Sequence, residues 1–125
     1  MRARRTGIAR IILTASLSLA AVSAQAETPD QLDALARATA QPTSGVALAR
    51  KQIAAGDLLE ALATLERVII NHPQSNEARL LHAGVMCRID DRRGAMVELD
   101  GLRGRVIPES LWDEANTACF GRQGR

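Results

Sequence analysis

From Thr28 onward the apolar positions recur at three- and four-residue spacing, and short polar breaks divide the chain into segments of about a dozen residues. That period is the signature of amphipathic helix, and few β-branched runs, no Tyr and many Ala, Leu, Arg and Glu favour helix throughout. Leu32, Leu35, Ala36 and Thr39 share one helical face after a Thr-Pro start, with Gln31 placed for a capping box and Gln41-Pro42 as the stop. Val46, Leu48, Ala49, Gln52 and Ile53 form the next face, with Thr43 or Ser44 expected as its cap and Gly56 as its end. Asp57, with Glu60 three residues on, predicts a second capping box; Leu58, Ala61, Leu62, Leu65, Val68 and Ile69 follow, and His72-Pro73 ends the segment. A Ser75 cap opens a helix with Ala78, Leu81, Ala83, Val85, Met86 and Ile89. Asp90-Asp91 makes a turn, and Ala95, Met96, Leu99 and Leu102 lead to Gly104 and Pro108. A last helix carries Leu111, Trp112, Ala115, Ala118 and Cys119 inward and ends at Gly121, before a short tail, 122–125. The fold class predicted is all-α.

The segments repeat. Ala49 and Ala83, Asp57 and Asp91, Ala61 and Ala95, and Leu65 and Leu99 are all separated by one and the same interval. That interval, about 34 residues with two helices per unit, is the tetratricopeptide value. On these residues, 42–108 resembles two tandem tetratricopeptide repeats, 42–75 and 76–108. Leu48-Ala49, the Gly56-Asp57 turn, Ala61, Leu65, Val68 and the terminal Pro73 match the first unit. Ala83, Ala95, Leu99 and Leu102 match the second, where His82 stands at a position usually leucine and Asp90 replaces the turn glycine. The resemblance implies tandem antiparallel helix pairs, an α-solenoid fragment. Residues 27–41 are expected to cover one end as a capping helix and 109–121 the other. Ala49, Ala61, Leu65, Ala83, Ala95 and Leu99 are its packing positions, since small residues let helices approach and large ones fill the gaps between them.

The resemblance also implies a partner groove lined by first helices, here Thr43, Val46, Arg50, Ile53, Glu77, Leu80, Gly84 and Cys87. It is mostly apolar, with Arg50 set to pair one acid of a partner. Members of the family that clamp a C-terminal carboxylate use a Lys and an Asn on this face; Val46, Arg50, Leu80 and Gly84 stand there instead. In the family, first helices of adjacent units lie side by side, which implies that Cys87 and Cys119 sit at similar height. A disulfide is the favoured reading, and two half-buried thiols packing as small hydrophobes is the alternative.

The N-terminus alters the charge reading. Residues 1–26 run from four arginines without an acid through an apolar stretch of about a dozen residues to a small-x-small site at Ala24 and Ala26. This order reads as a secretory signal peptide cleaved after Ala26, with an apolar run too short for a stable membrane span. Taking four of the 16 basic residues away leaves 12 against 14 acids, a formal net charge of −2. No basic cluster remains to suit nucleic acid, and Trp112 and Phe120 are the only aromatics. The leader places the chain in the periplasm.

Candidate chemistry is thin. The two cysteines are not a C-x-x-C pair, and His72 and His82 lack the ligand spacing of zinc, so no metal or cofactor is expected. His82 is expected to be structural and His72 exposed. Asp90, Asp91, Arg92 and Arg93 read as turn charges, and Ser110 has no His-Asp partners. The expectation is a non-enzymatic interaction module, an adaptor that binds a peptide or protein of the cell envelope. A holdase-like chaperone of many unfolded chains is the alternative, and self-association through an incompletely covered end is a further outcome.

Overall fold

The computed structural model describes residues 28–121; the expected leader and the tail 122–125 lie outside them. Among the described residues there are six helices and no strand: α1 (Pro29–Ala38), α2 (Pro42–Ala55), α3 (Leu58–Asn71), α4 (Asn76–Arg88), α5 (Arg92–Leu102) and α6 (Glu109–Phe120). The chain is all-α. None of these helices is long and apolar enough to cross a membrane.

Local chemistry sets the boundaries. Thr28 accepts from Gln31 N while its own N–H donates to the Gln31 side chain, a complete capping box. Ser75 and Asp91 cap α4 and α5 by accepting from Ala78 N and Gly94 N. Two expected caps differ. Helix α2 starts earlier than its hydroxyls suggest: Gln41 is the N-cap and Pro42 opens the first turn, because proline's fixed φ suits that position. Ser44 instead donates to the carbonyls of Ala38 and Gln41, tying α1 to α2. Asp57 stands at the N-cap of α3, but its side chain makes no capping bond, so the box with Glu60 is not formed.

The sequence period is present in the backbone. Gly56 closes α2 in the left-handed region at φ 87°, and Asp90, at the corresponding place after α4, has φ 72°. Both turns make the same bonds. Asp57 N donates to Gln52 O and Asp91 N to Met86 O, each at 2.9 Å; Gly56 N donates to Ile53 O and Asp90 N to Cys87 O. Glycine takes such a φ without strain, and Asp is among the few other residues that tolerate it. The glycine-to-aspartate exchange thus preserves the turn.

Packing repeats in the same way. Ala49 and Ala83, Ala61 and Ala95, Leu65 and Leu99, and Val68 and Leu102 are pairs at the repeat interval, and all eight are buried. Helix α2 packs on α3, and α4 is the central element, flanked by α3, α5 and α6. One apolar cluster joins Val46, Ala49, Ala61, Leu65, Val68, Ala78, Leu81 and Val85. A second joins Leu80, Ala83, Cys87, Ala95, Leu99, Leu102, Ala115 and Cys119, with Leu111 and Trp112 packed against it. Gly45 permits a close approach: a Cβ there would collide with a methyl of Val68.

The two end helices are unequal. Helix α1 buries none of its own residues; Leu32 stays 40% exposed, and only Thr39, just past its end, is fully covered. Helix α6 is anchored by a disulfide between Cys87 and Cys119. The favoured reading of the two cysteines is the one observed.

Two stability outcomes follow. Ala61→Leu adds volume where no space exists and should lower unfolding free energy by about 1–3 kcal/mol in urea titration. Removing the disulfide as Cys87→Ala/Cys119→Ala opens a loop with a sequence separation of 32, a loss of about 3–4 kcal/mol in the chain-entropy account. A thermal midpoint that does not move would contradict the second expectation.

Candidate functional site

A cavity of about 260 Å³ opens along one face of α4, between α2 and α6. Helix α4 supplies Glu77, Leu80, Leu81, Gly84, Val85 and Arg88. Helix α2 supplies Arg50 and Ile53, and α6 supplies Leu111, Glu114, Ala115, Thr117 and Ala118. The floor is apolar and the charges stand at its edges. Gly84 is buried on α4 facing α6; a Cβ added there would meet the Ala118 methyl at 3.4 Å, an ordinary contact.

Arg50 organises one edge. Its guanidinium donates to both carboxylate oxygens of Glu114, one of them at 2.9 Å, and to Glu77 at 3.1 Å. One side chain of α2 therefore bridges α4 and α6. The fork of two parallel N–H···O bonds to Glu114 is the geometry in which guanidinium and carboxylate match best. These bonds, that to Glu114 foremost, raise the Arg50 pKa above its ordinary value against the opposing effect of burial. A raised folded-state pKa gives stability that is present below the unfolded value and lost only above the folded one. Arg50 therefore stays charged at every neutral or mildly alkaline pH.

The expected groove residues divide in three. Arg50, Ile53, Glu77, Leu80 and Gly84 border the cavity. Val46 is 4% exposed and belongs to the first apolar cluster, and Cys87 is buried in the disulfide, so neither offers a surface to a partner. Thr43 is exposed on the first turn of α2 and does not border the cavity. Leu80 borders it yet is only 1% exposed, so its main part is in the core. Arg50 is not free to take a partner's acid, because Glu77 and Glu114 already hold it.

Sequence reasoning missed Glu114, Arg88 and Thr117 as groove residues. The period held the signal for the first: Leu111, Glu114 and Ala118 follow Glu77, Leu80 and Gly84 at the same interval that relates Ala49 to Ala83. Continuing the offset into α6 finds the third wall. Arg88 follows Gly84 by four residues on α4 and Thr117 follows Glu114 by three on α6, so helical spacing along each face reaches both.

The histidines serve other places. His82 Nδ1 lies 2.5 Å from a Glu98 oxygen and donates to it, since an ionised carboxylate only accepts. Arg79 approaches the other Glu98 oxygen at 3.5 Å, and Glu66 stands 3.8 Å from His82 Nε2. This polar seam joins α3, α4 and α5 on a face away from the cavity lining. The expectation of an exposed His72 does not hold: it is half-buried, with Nε2 3.0 Å from the Ala40 carbonyl oxygen. Among the described residues no group of three His, Cys, Asp or Glu side chains is disposed to hold a metal ion. Asp90, Asp91, Arg92 and Arg93 surround a turn, and Asp91 serves there as a cap.

Comparisons with protein-family models, with curated proteins and with solved structures found no match to this chain.

Arg50 and Glu114 are 37% and 43% exposed, so their pair belongs with solvent-screened ion pairs. A double-mutant cycle of Arg50→Ala and Glu114→Ala should give a coupling energy of about 0.5–1 kcal/mol, shrinking as salt is raised from about 0.05 to about 0.5 M. A coupling that salt leaves unchanged would mean that the bridge does not act electrostatically.

Proposed function

We propose that this chain is a non-enzymatic interaction module, a tetratricopeptide-like helix array that binds a protein or peptide segment along the α2–α4–α6 face. The observation that carries the reading is the open apolar cavity bordered by the first helix of each unit and by α6. The recurrence of the same turn bonds and buried positions at the repeat interval supports the repeat assignment. In this reading α6 serves as the first helix of an incomplete third unit. Its disulfide suits the oxidising compartment to which the arginine-rich, apolar N-terminus would direct the chain, and the periplasm is the site we assign to it.

A small apolar concavity with fixed walls favours an adaptor, in which one partner presents a short segment. A holdase gripping many unfolded chains would need a broad apolar patch, whereas much of the groove's expected apolar surface, Val46 and Leu80 above all, is committed to the core. The adaptor reading is therefore preferred.

The test is affinity capture from a crosslinked cell envelope, with a variant that fills the groove without touching the core. Thr117 is exposed and borders the cavity, so Thr117→Trp should occlude it and leave the thermal midpoint within a few degrees. One saturable partner that is lost with Thr117→Trp is the expected result. A wide set of exported proteins would establish the holdase instead, and capture that the variant does not change would remove the groove from the function.

A further inference from the structure

The charges around the cavity are separated along α4. Glu77 lies in the first turn of that helix and Arg88 in its last. Eleven steps at the helical rise place them about 16 Å apart along the axis. The Glu77 end also holds Arg50 and Glu114, two carboxylates against one guanidinium, for a net charge of −1. The opposite end has Arg88, which is exposed and has no ion-pair partner among the described residues. Between them lie Leu80, Leu81, Gly84 and Val85, with Ile53 and Ala118 on the walls, and none of these carries charge.

Resting on the groove reading, we infer that the occupant is an extended peptide segment of about five residues with an apolar middle and oppositely charged ends. A basic side chain lies at Glu77 and Glu114, and an acidic side chain or terminal carboxylate lies at Arg88. The length follows from strand geometry: the end residues of an extended pentapeptide stand about 13 Å apart, and their long charged side chains cover the remaining few ångströms. The basic end is fixed by the excess carboxylate. Arg50 uses both oxygens of Glu114 but one oxygen of Glu77, which leaves acceptor capacity for an incoming ammonium or guanidinium. The acidic end is fixed by the unpaired Arg88, whose planar fork suits a carboxylate. An anion aimed at Arg50 would meet two glutamates, so a terminal carboxylate is repelled at that end and accepted at the other.

Four blocked, fluorescently labelled pentapeptides test this against the full chain at low salt: Lys-Leu-Ala-Leu-Glu, Lys-Leu-Ala-Leu-Lys, Glu-Leu-Ala-Leu-Glu and Gln-Leu-Ala-Leu-Gln. The comparison is insensitive to the direction in which a peptide lies. Fluorescence anisotropy should rank the peptide with opposite ends first, about tenfold tighter than either like-charged peptide, a difference of about 1.4 kcal/mol. Arg88→Glu, on an exposed side chain, should invert the preference toward the Lys-ended peptide, and Arg88→Ala should reduce the discrimination to a few-fold. Equal binding of all four peptides, still abolished by Thr117→Trp, would overturn the charge rule and leave the groove as the binding site. Binding of none, or binding that Thr117→Trp does not affect, would overturn the groove reading together with the charge rule.

Discussion

The attachment of α6 to α4 is the constraint on which the site depends. Cys87 and Cys119 join these helices covalently near their C-terminal ends, and Arg50 reaches from α2 to hold Glu114 closer to the N-terminal end of α6. Between the two tethers, Ala115 is buried in the second apolar cluster with Leu80 and Ala83 of α4. A helix of 12 residues has little stability alone in water. Held at its middle and near its C-terminal end, it becomes the third wall of a cavity that α2 and α4 alone would leave open on one side.

The same attachment explains how the site's polarity arises. Helix α6 brings Glu114 to Arg50, which converts a lone cation beside Glu77 into a cluster with excess negative charge. Arg88 is left as the free cation of the cavity edge among the described residues. The electrostatic character of the groove therefore belongs to the packed set of three helices and to none of them singly. The repeated Ala and Leu positions serve a different purpose: they allow neighbouring helices to approach and fill the gaps between them.

The two ends of the chain contrast in how firmly they are held. Helix α6 brings Cys119 and Ala115 into the second apolar cluster, while α1 is covered only at Thr39, at its margin, and retains Leu32 at the surface. A helix that buries so little apolar surface gains little to offset its ordering entropy. The α2–α3 pair is therefore stabilised chiefly by its own contacts and by α4, through Val46, Leu65, Val68, Leu81 and Val85. The polar seam of Glu66, Arg79, His82 and Glu98 joins α3 and α5 to α4.

By itself the sequence determined the helices, their order, the repeat period and the buried Ala-Leu set, because these depend on local propensity and on which face of each helix is apolar. The stop at Gly56, the turn at Asp90-Asp91 and the caps at Thr28 and Ser75 were legible for the same reason: each needs only near neighbours in the chain. Tertiary structure alone decided that Val46 and Cys87 face the core and that Arg50 is bound by two glutamates. The partners in that last interaction stand at sequence separations of 27 and 64, and no helical period relates a long flexible side chain to acids on two other helices. Long-range charge pairing depends on the distance between packed elements, which the linear pattern does not contain.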